Sequence, residues 1–239
     1  MSTDRLSPIP HVSVKAGRLA SLQAQRLSDF KVAVFDMDST LIPIECIDEL
    51  AVVAGKGEEV AAITEAAMRG EIANFSESLT RRLAILRGLP ESALAQVMAE
   101  RLTLNPGAEA LLAALHQAGV HTVLVSGGFT YFAKEVQRRL GIHHAVANEL
   151  AFEDGCLTGQ VIGAIVDGER KRTELLAACE RLGVPASAAI AVGDGANDLP
   201  MMQAAGLSVA YMAKPKVQAQ ADVAVEAPGL DRWLALLGR

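Results

Sequence analysis

Residues 31–40 read KVAVFDMDST, an apolar strand-like segment that runs directly into two aspartates. Residues 31–35 are short, apolar and partly β-branched, which is typical of a buried parallel strand. Asp36 and Asp38 therefore fall at its carboxyl end, where open α/β sheets bind ligands. Alternation points both side chains the same way, and converging carboxylates repel each other unless a cation such as Mg²⁺ lies between them. The stretch DMDST also favours an ordinary turn, and the segment alone leaves both interpretations open.

Composition narrows the class of protein. The chain has 239 residues, of which 51% are hydrophobic, enough for one sizeable core or a core with a small second domain. A formal charge of −6 with two tyrosines and one tryptophan provides neither a basic stripe nor a stacking platform, so we predict no nucleic-acid partner. Cys46, Cys156 and Cys179 lack zinc or disulfide spacing, which favours a reducing, cytoplasmic location. We predict neither a signal peptide nor a membrane span.

The order of the predicted elements indicates an α/β fold with a helical insertion. Residues 45–104 predict several helices without strands, broken at Gly55, Gly70 and Gly88. Beyond them helices alternate with strands, which predicts right-handed crossovers and a parallel sheet. We therefore predict a Rossmann-like, doubly wound parallel sheet with an inserted helical cap domain. The predicted boundaries are an N-terminal extension at 1–30, a core at 31–43 and 105–239, and a cap at 44–104.

The later elements follow from the same patterns. Asp154-Gly155 lies between two strand-like runs and predicts a small β-hairpin. The remaining predictions are helices at 16–27, 107–118, 130–140, 169–182 and 230–237, strands at 31–35, 120–125, 145–148, 189–193 and 207–210, and an edge strand at 221–225.

Three further stretches carry chemistry, and each follows a predicted strand at the same edge of the sheet. In TVLVSGGFT, the strand is predicted to end at Ser126, with Gly127 and Gly128 opening the next helix and forming an anion site. The alternative is a glycine turn that only redirects the chain. Lys171 lies near the start of a helix, where a cation needs an anionic partner, although exposed lysines are common there.

The third stretch, VGDGANDLPMM, places an aspartate directly after the strand at 189–193. Asp194 can therefore join Asp36 on a metal ion. A helix cap at Asn197 or Asp198 is compatible with that interpretation, because either cap leaves Asp194 free to coordinate.

The stretches DMDST, SGG, a lysine and GDGAND, in this order, resemble the motif set of the haloacid dehalogenase superfamily of phosphatases. The wider stretches DMDSTLIPIECIDELA, VSGGFTYFA, ANEL, DGCLTG, IVDGERK, VGDGANDLPMM and AYMAKPKV resemble the phosphoserine phosphatase family within it, from about residue 31 to the end. The resemblance implies Mg²⁺-dependent hydrolysis of a small molecule, O-phosphoserine, to serine and phosphate in serine biosynthesis. Two alternatives remain, a phosphatase or phosphotransferase for another small phosphomonoester, with homoserine as an example of an acceptor, and a non-catalytic phosphate-binding module.

Chemistry and resemblance together assign expected roles to the core motifs. A phosphate monoester dianion resists an anionic nucleophile, so Mg²⁺ and hydrogen-bond donors must neutralise its charge. The expected metal ligands are Asp36, the backbone carbonyl of Asp38, and Asp194. Asp36 is the expected nucleophile and Asp38 the general acid and base. The expected phosphate-binding residues are Ser126, Gly127, Lys171 and, by resemblance, Asn197, and by resemblance Asp198 supports the metal ligands.

Residues of the predicted cap are expected to select the substrate. The helical stripe at positions 75, 79, 82 and 86 is Phe, Leu, Arg and Leu, so Arg82 interrupts an apolar face and needs an anion. In the resembling family the matching arginine binds the substrate carboxylate, Glu45 faces the ammonium group, and Met68 and Phe75 are further cap contacts. The alternatives are a structural ion pair or a snorkelling stem for Arg82, and placement at a helix N-terminus for Glu45.

Overall fold

The computed structural model describes residues 5–69 and 71–238. Its strands are β1 (Arg5–Ile9), β2 (Val12–Lys15), β3 (Val32–Phe35), β4 (His121–Phe129), β5 (His144–Glu153), β6 (Cys156–Ile162), β7 (Ala189–Gly193), β8 (Leu207–Tyr211) and β9 (Val223–Val225). Its α-helices are α1 (Leu19–Ala24), α2 (Cys46–Val53), α3 (Gly57–Met68), α4 (Phe75–Ile85), α5 (Ser92–Glu100), α6 (Ala108–Gln117), α7 (Thr130–Leu140), α8 (Gly168–Arg181), α9 (Leu199–Ala204) and α10 (Pro215–Gln220).

The strands form one nine-stranded sheet in the order β1-β2-β9-β8-β7-β3-β4-β5-β6. Strand β3 lies in the middle and pairs in parallel with both β7 and β4. The sheet is parallel from β9 to β5 and becomes antiparallel at both ends, where β2 and β6 join it. The strands that carry the predicted aspartates, β3 and β7, are therefore direct neighbours with their carboxyl ends at the same edge.

Helices cover both faces of the sheet, as expected of a doubly wound fold. Alternate residues of β3 enter two separate cores, with Val32 and Val34 on one side and Ala33 and Phe35 on the other. The first core also contains apolar residues of α8 and α9, and the second contains those of α6 and α7. All four β3 residues are completely buried, which explains the continuous apolar run that precedes Asp36.

The four helices from α2 to α5 lie between β3 and α6 in the chain, as the sequence predicts. The connection between α4 and α5 is joined to the β5–β6 hairpin by backbone hydrogen bonds in an antiparallel arrangement. The Gly88 N–H donates to the Leu157 carbonyl (2.8 Å), the Leu157 N–H to the Leu89 carbonyl (2.8 Å), and the Glu91 N–H to the Gly155 carbonyl (3.0 Å). The predicted hairpin at Asp154-Gly155 therefore exists and is bonded to the connection between α4 and α5.

The ends of the chain differ from the sequence prediction. Strand β9 is not an edge, because β2 pairs with it and β1 covers β2. This N-terminal hairpin was not predicted, since Pro8 and Pro10 disfavour a strand. Pro8 is tolerated because β1 is the edge. The predicted closing helix is wrong, because Arg232–Leu236 forms one short 3₁₀ helix instead. The other 3₁₀ helices are Leu27–Asp29, Ala186–Ala188 and Ala196–Asp198.

Among the described helices, none has the length and apolar character that a membrane crossing requires. Gly70, where a helix break was predicted, lies outside the described residues, whereas Gly55 and Gly88 follow helices with positive φ angles of 68° and 86°. The chain therefore uses these two glycines where a left-handed backbone ends a helix.

Candidate active site

The aspartate loop folds back on itself directly after β3. The Asp36 N–H donates to the Val192 carbonyl (3.0 Å), so the loop leaves the sheet beside β7. The Met37 carbonyl then accepts a hydrogen bond from the Leu41 N–H (2.8 Å), which closes a tight turn. Ser39 lies within this turn at φ 56°, a left-handed conformation that costs a non-glycine residue about 1–2 kcal/mol. Such strain persists where the surroundings hold a loop in one geometry.

Lys171 lies in the first turn of α8 and is completely buried. Its Nζ is 2.7 Å from Asp36 Oδ2 and 2.6 Å from Asp198 Oδ1. Burial alone would lower the pKa of this ammonium group, but the charges of Asp198 and Asp36 outweigh it and raise the pKa above its usual value. The cation at the start of the helix therefore has the anionic partners that its position requires.

The loop after β7 is organised by the buried carboxylate of Asp198. Its Oδ2 accepts hydrogen bonds from the N–H groups of Asp194 (3.1 Å) and Gly195 (3.0 Å), while its Oδ1 faces Lys171. A Cβ at Gly193 would overlap this carboxylate, so the glycine makes room for it. Asp198 thus links the β7 loop to the start of α8 and sets the position of Asp194.

Three carboxylates converge in this region and can hold a metal ion. One oxygen from each of Asp36, Asp194 and Asp198 lies within 4.8 Å of the others. Burial and the charge of Asp198 raise the pKa of Asp36, against the pull of Lys171, and they raise the pKa of Asp194 to about 7. These shifts arise because full ionisation would place more negative charge here than one ammonium group neutralises. A hard cation with oxygen ligands fits this donor set.

Asp38 has a different environment from Asp36. Its Oδ1 accepts a hydrogen bond from the Cys46 N–H (3.2 Å) at the start of α2, and its Oδ2 packs against Gly128, where a Cβ would overlap it. Burial and the charge of Glu45 raise the pKa of Asp38 to about 7. Asp38 can therefore hold or release a proton near neutral pH, whereas Asp36 is paired with an ammonium group.

Glu45 lies at the N-cap of α2, exposed at the edge of this region. Its Oε1 accepts a hydrogen bond from Ser39 Oγ (2.7 Å), which joins the start of the helix to the aspartate loop. Partial removal from water raises the pKa of Glu45, and the charge of Arg82 opposes that shift. The two predicted cap residues are therefore close enough to affect each other electrostatically.

The glycines after Ser126 do not open a helix, so that prediction is wrong. Strand β4 continues through Phe129 and α7 begins at Thr130. The pairing of β4 with β5 becomes irregular after Val125, which allows the chain to stay extended while it leaves the regular ladder. The Ser126 hydroxyl, completely buried, accepts a hydrogen bond from the Gly128 N–H (2.8 Å). The site therefore has a hydroxyl and extended backbone here, and the helix N-terminus lies farther on.

Helix α4 carries the predicted stripe and brings it against the end of β4. A Cβ at Gly127 would lie 2.5 Å from Phe75 Cζ, so the ring packs directly on the backbone. Arg82 lies two turns farther along and is 8% exposed. Its Nη1 is 4.0 Å from Asp48 Oδ1, and its buried Nε has no hydrogen-bond partner among the described residues. The guanidinium therefore has hydrogen-bond donors without acceptors among the described residues, as expected for a group that binds an anionic ligand.

The other predicted site residues occupy less informative positions. Asn197 is half-buried in the 3₁₀ helix Ala196–Asp198, with its Oδ1 against Gly195. Met68 is the last residue of α3, and its side chain lies outside the described part of the structure.

Sequence reasoning did not select two buried polar residues of this region. Thr40 Oγ1 donates to Asp194 Oδ1 (3.1 Å), and the Thr40 carbonyl accepts from Asn105 Nδ2 (2.8 Å). Asn148 donates to the Gly127 carbonyl from Nδ2 (2.8 Å). Thr40 belongs to DMDST and Asn148 to ANEL, so both lie within stretches that carry the family resemblance.

Comparison with known proteins agrees with this geometry. The family model of haloacid dehalogenase-like hydrolases matches residues 33–203. A phosphoserine phosphatase of Polaromonas sp. is 55% identical over 216 residues, which are 89% of this chain and 92% of that protein. Two solved structures have TM-scores of 0.81. One is a phospho-aspartyl intermediate analogue of a phosphoserine phosphatase, 38% identical, covering 87% of this chain and 99% of its own. The other is a substrate-bound phosphoserine phosphatase complex, 37% identical, covering 87% and 98%.

A family model that spans most of the chain and a close relative of nearly equal length support the same assignment. This chain belongs to the haloacid dehalogenase-like hydrolase family, and within it to the phosphoserine phosphatases.

Proposed function

We propose that this protein hydrolyses O-phosphoserine to serine and inorganic phosphate, the last step of serine biosynthesis. The observation that carries the proposal is that the carboxylates of two neighbouring aspartates, Asp36 and Asp38, have different contacts. Asp36 lies beside Lys171 in the cluster with Asp194 and Asp198, whereas Asp38 is outside that cluster, with its carboxylate bonded to the Cys46 N–H and packed against Gly128. A nucleophile and a proton donor with these environments are what cleavage of a phosphomonoester requires.

Asp36 and Asp194 would supply carboxylate ligands for the proposed Mg²⁺ ion, the Asp38 carbonyl would be a third ligand, and Asp198 would support them. When bound, the ion would neutralise phosphoryl oxygens and orient the phosphate against Asp36. The support for this choice is the excess of carboxylates over the one buried ammonium group, together with the oxygen-only donor set.

The chain's own residues account for the two chemical steps. Asp36 attacks phosphorus, and the bond to the serine oxygen breaks while Asp38 gives that oxygen its proton. The product of this step is an aspartyl-phosphate on Asp36. Asp38, now ionised, takes a proton from the water that attacks phosphorus, which releases phosphate and restores Asp36. Lys171 and the Ser126 hydroxyl stabilise the phosphoryl oxygens in both steps.

The helices over residues 44–104 act as a cap that recognises the amino-acid part of the substrate. Arg82 binds the substrate carboxylate, for which its unpartnered Nε and planar fork are suited. Glu45, exposed at the N-cap of α2, binds the ammonium group. Phe75 belongs to this cap and packs on Gly127, next to Ser126. The cap therefore covers the phosphate site and excludes water during the reaction.

The proposal is tested by measuring phosphate release from phosphoserine in both enantiomers, phosphothreonine, phosphoethanolamine and simple sugar phosphates, with Mg²⁺ and with chelator. We expect phosphoserine to have the highest kcat/KM and excess chelator to stop its turnover. The variant Asp36→Asn is the matched negative control because the amide keeps the shape and removes the nucleophile. A preferred substrate without an amino-acid backbone would contradict the substrate assignment, and full activity in chelator would contradict the metal assignment.

A further inference from the structure

Asn148 connects two separate loops beside the proposed phosphate site. It is the last β5 residue that pairs with β4, and its side chain is almost completely buried. Its Oδ1 accepts a hydrogen bond from the Val166 N–H (2.8 Å), and its Nδ2 donates to the Gly127 carbonyl (2.8 Å). The Val166 N–H can only donate, so it determines which way the amide faces. The NH₂ group must therefore point to Gly127.

The two bonds fix the peptide plane between Gly127 and Gly128 at both ends. Asn148 holds the carbonyl, and the N–H at the other end of the same plane donates to Ser126 Oγ (2.8 Å). Glycine backbone has more freedom to rotate than any other residue, so an unsupported plane at this position could flip. Asn148 supplies the restraint that the two glycines lack.

The orientation of this plane decides what the Ser126 hydroxyl can do. A hydroxyl has one proton to donate and two lone pairs that accept. Because Ser126 Oγ already accepts the Gly128 N–H, one lone pair is occupied and its own proton remains available for another acceptor. In the proposed reaction that acceptor is a phosphoryl oxygen. If the plane flipped, a carbonyl would approach Ser126 and compete for this proton.

We propose that Asn148 is a positioning residue for phosphate binding, which acts through the Gly127–Gly128 peptide to hold Ser126 as a hydrogen-bond donor. The inference deepens the proposed phosphatase function and rests on it for the identity of the anion. Asparagine suits the position because it combines one donor and one acceptor at short reach. An ionised aspartate would place a charged acceptor against the Gly127 carbonyl, and leucine would leave both backbone groups unpaired.

A double-mutant cycle with Asn148→Ala and Ser126→Ala tests the proposal. The readouts are kcat/KM for p-nitrophenyl phosphate and the affinity for inorganic phosphate measured by calorimetry. Each single substitution should lower kcat/KM and the phosphate affinity by about 10- to 100-fold, the range for a hydrogen bond to a charged group. Asn148→Ala should add no more than about twofold in the Ser126→Ala background, because its effect passes through Ser126. If the double variant instead lost activity and affinity by the product of the two single losses, the proposal would be overturned.

The pH profile of Asn148→Asp separates positioning from a general loss of packing. A protonated aspartic acid again has one donor and one acceptor, so phosphate affinity relative to wild type should recover as the pH falls from 8 to 6, about where a buried carboxyl group takes up its proton. Asn148→Ala should show no such recovery. The inference would be contradicted if the phosphate affinity of Asn148→Asp relative to wild type did not change with pH while its melting temperature equalled that of Asn148→Ala.

Thr122→Val provides a matched control on the same strand. Thr122 is completely buried at the other end of β4 and is bonded to His143 (2.8 Å). This substitution should lower the melting temperature without changing phosphate affinity. Neither readout uses phosphoserine, so a failure of the substrate assignment leaves the test of Asn148 valid. Loss of phosphate affinity in Thr122→Val equal to that in Asn148→Ala would refute a specific role for Asn148.

Discussion

Replacing Arg82 by alanine should change which substrates the enzyme prefers. The guanidinium is 8% exposed, its nearest anion, Asp48 Oδ1, is 4.0 Å away, and its buried Nε lacks a hydrogen-bond partner among the described residues. A distance of 4.0 Å is beyond hydrogen-bond range, so Asp48 leaves the fork available. In this buried position the charge is little screened by salt.

The size of the effect follows from these contacts. A charge-assisted, bidentate pair in a closed site contributes about 2–4 kcal/mol, which corresponds to about 30- to 1000-fold in kcat/KM. Phosphoserine differs from phosphoethanolamine only by the carboxylate. Arg82→Ala should therefore reduce kcat/KM for phosphoserine by that factor and leave phosphoethanolamine nearly unchanged. Arg82→Lys should recover only part of the loss, because an ammonium group lacks the planar fork.

The assay compares initial rates of phosphate release for both substrates in wild type, Arg82→Ala and a control, Arg81→Ala. Arg81 is the preceding residue of α4, but it is exposed and pairs with Glu77 (2.5 Å) across one helical turn. Its removal should leave both rates within about twofold of wild type, since exposed pairs contribute little. If Arg82→Ala slowed both substrates equally, Arg82 would be structural or would help to close the cap, and the account of specificity would be wrong.

Three further predictions concern protons and metal. Asp38→Asn should slow hydrolysis by about 10² to 10⁴, the usual range for loss of a general acid and base, as steady-state rates would show. Burial and the charge of Asp198 raise the pKa of Asp194 to about 7, so its ionised form destabilises the metal-free fold above the pKa of the unfolded chain. Asp194→Asn should therefore raise the melting temperature in chelator at pH 8 and reduce the stabilisation by Mg²⁺, and an unchanged response to Mg²⁺ would argue against Asp194 as a ligand. Burial lowers the pKa of His116 and of His121, so the folded state favours their neutral forms and loses stability as the pH falls below about 6.5. Replacing both by glutamine should make the free energy of unfolding, measured with denaturant, depend less on pH between pH 7 and 5.5. An unchanged pH dependence would refute the contribution of these two histidines.

The parts of the site that could be predicted are those with local signals. Asp36 and Asp194 each follow a short apolar strand, and the central position of β3 and β7 in the sheet places both at one edge. The helical stripe through Phe75, Leu79 and Arg82 has the period of its helix, so its position on one inward face could be predicted from spacing, and Leu79 and Arg82 are buried while Phe75 is half-buried.

The parts that could not be predicted depend on contacts between distant residues. Lys171 meets Asp198 across 27 positions, and Asn148 meets Gly127 across 21. No local pattern encodes such pairs. The β1–β2 hairpin escaped prediction for the same reason, since β2 is stabilised by pairing with β9 at the other end of the chain. The two glycines after Ser126 misled the prediction because glycine is compatible with a strand end as well as a turn.

The central claim is that Asp36 is the nucleophile, and trapping the intermediate tests it most directly. Enzyme mixed with phosphoserine and Mg²⁺ is quenched in acid during the first turnover, reduced with tritium-labelled borohydride and digested, and the labelled peptides are sequenced by mass spectrometry. An acyl-phosphate is reduced to the alcohol, so we predict homoserine in place of Asp36, with Asp38 unchanged. Label on any other residue, or phosphate release from the first turnover without label on Asp36 at any quench time, would contradict the account.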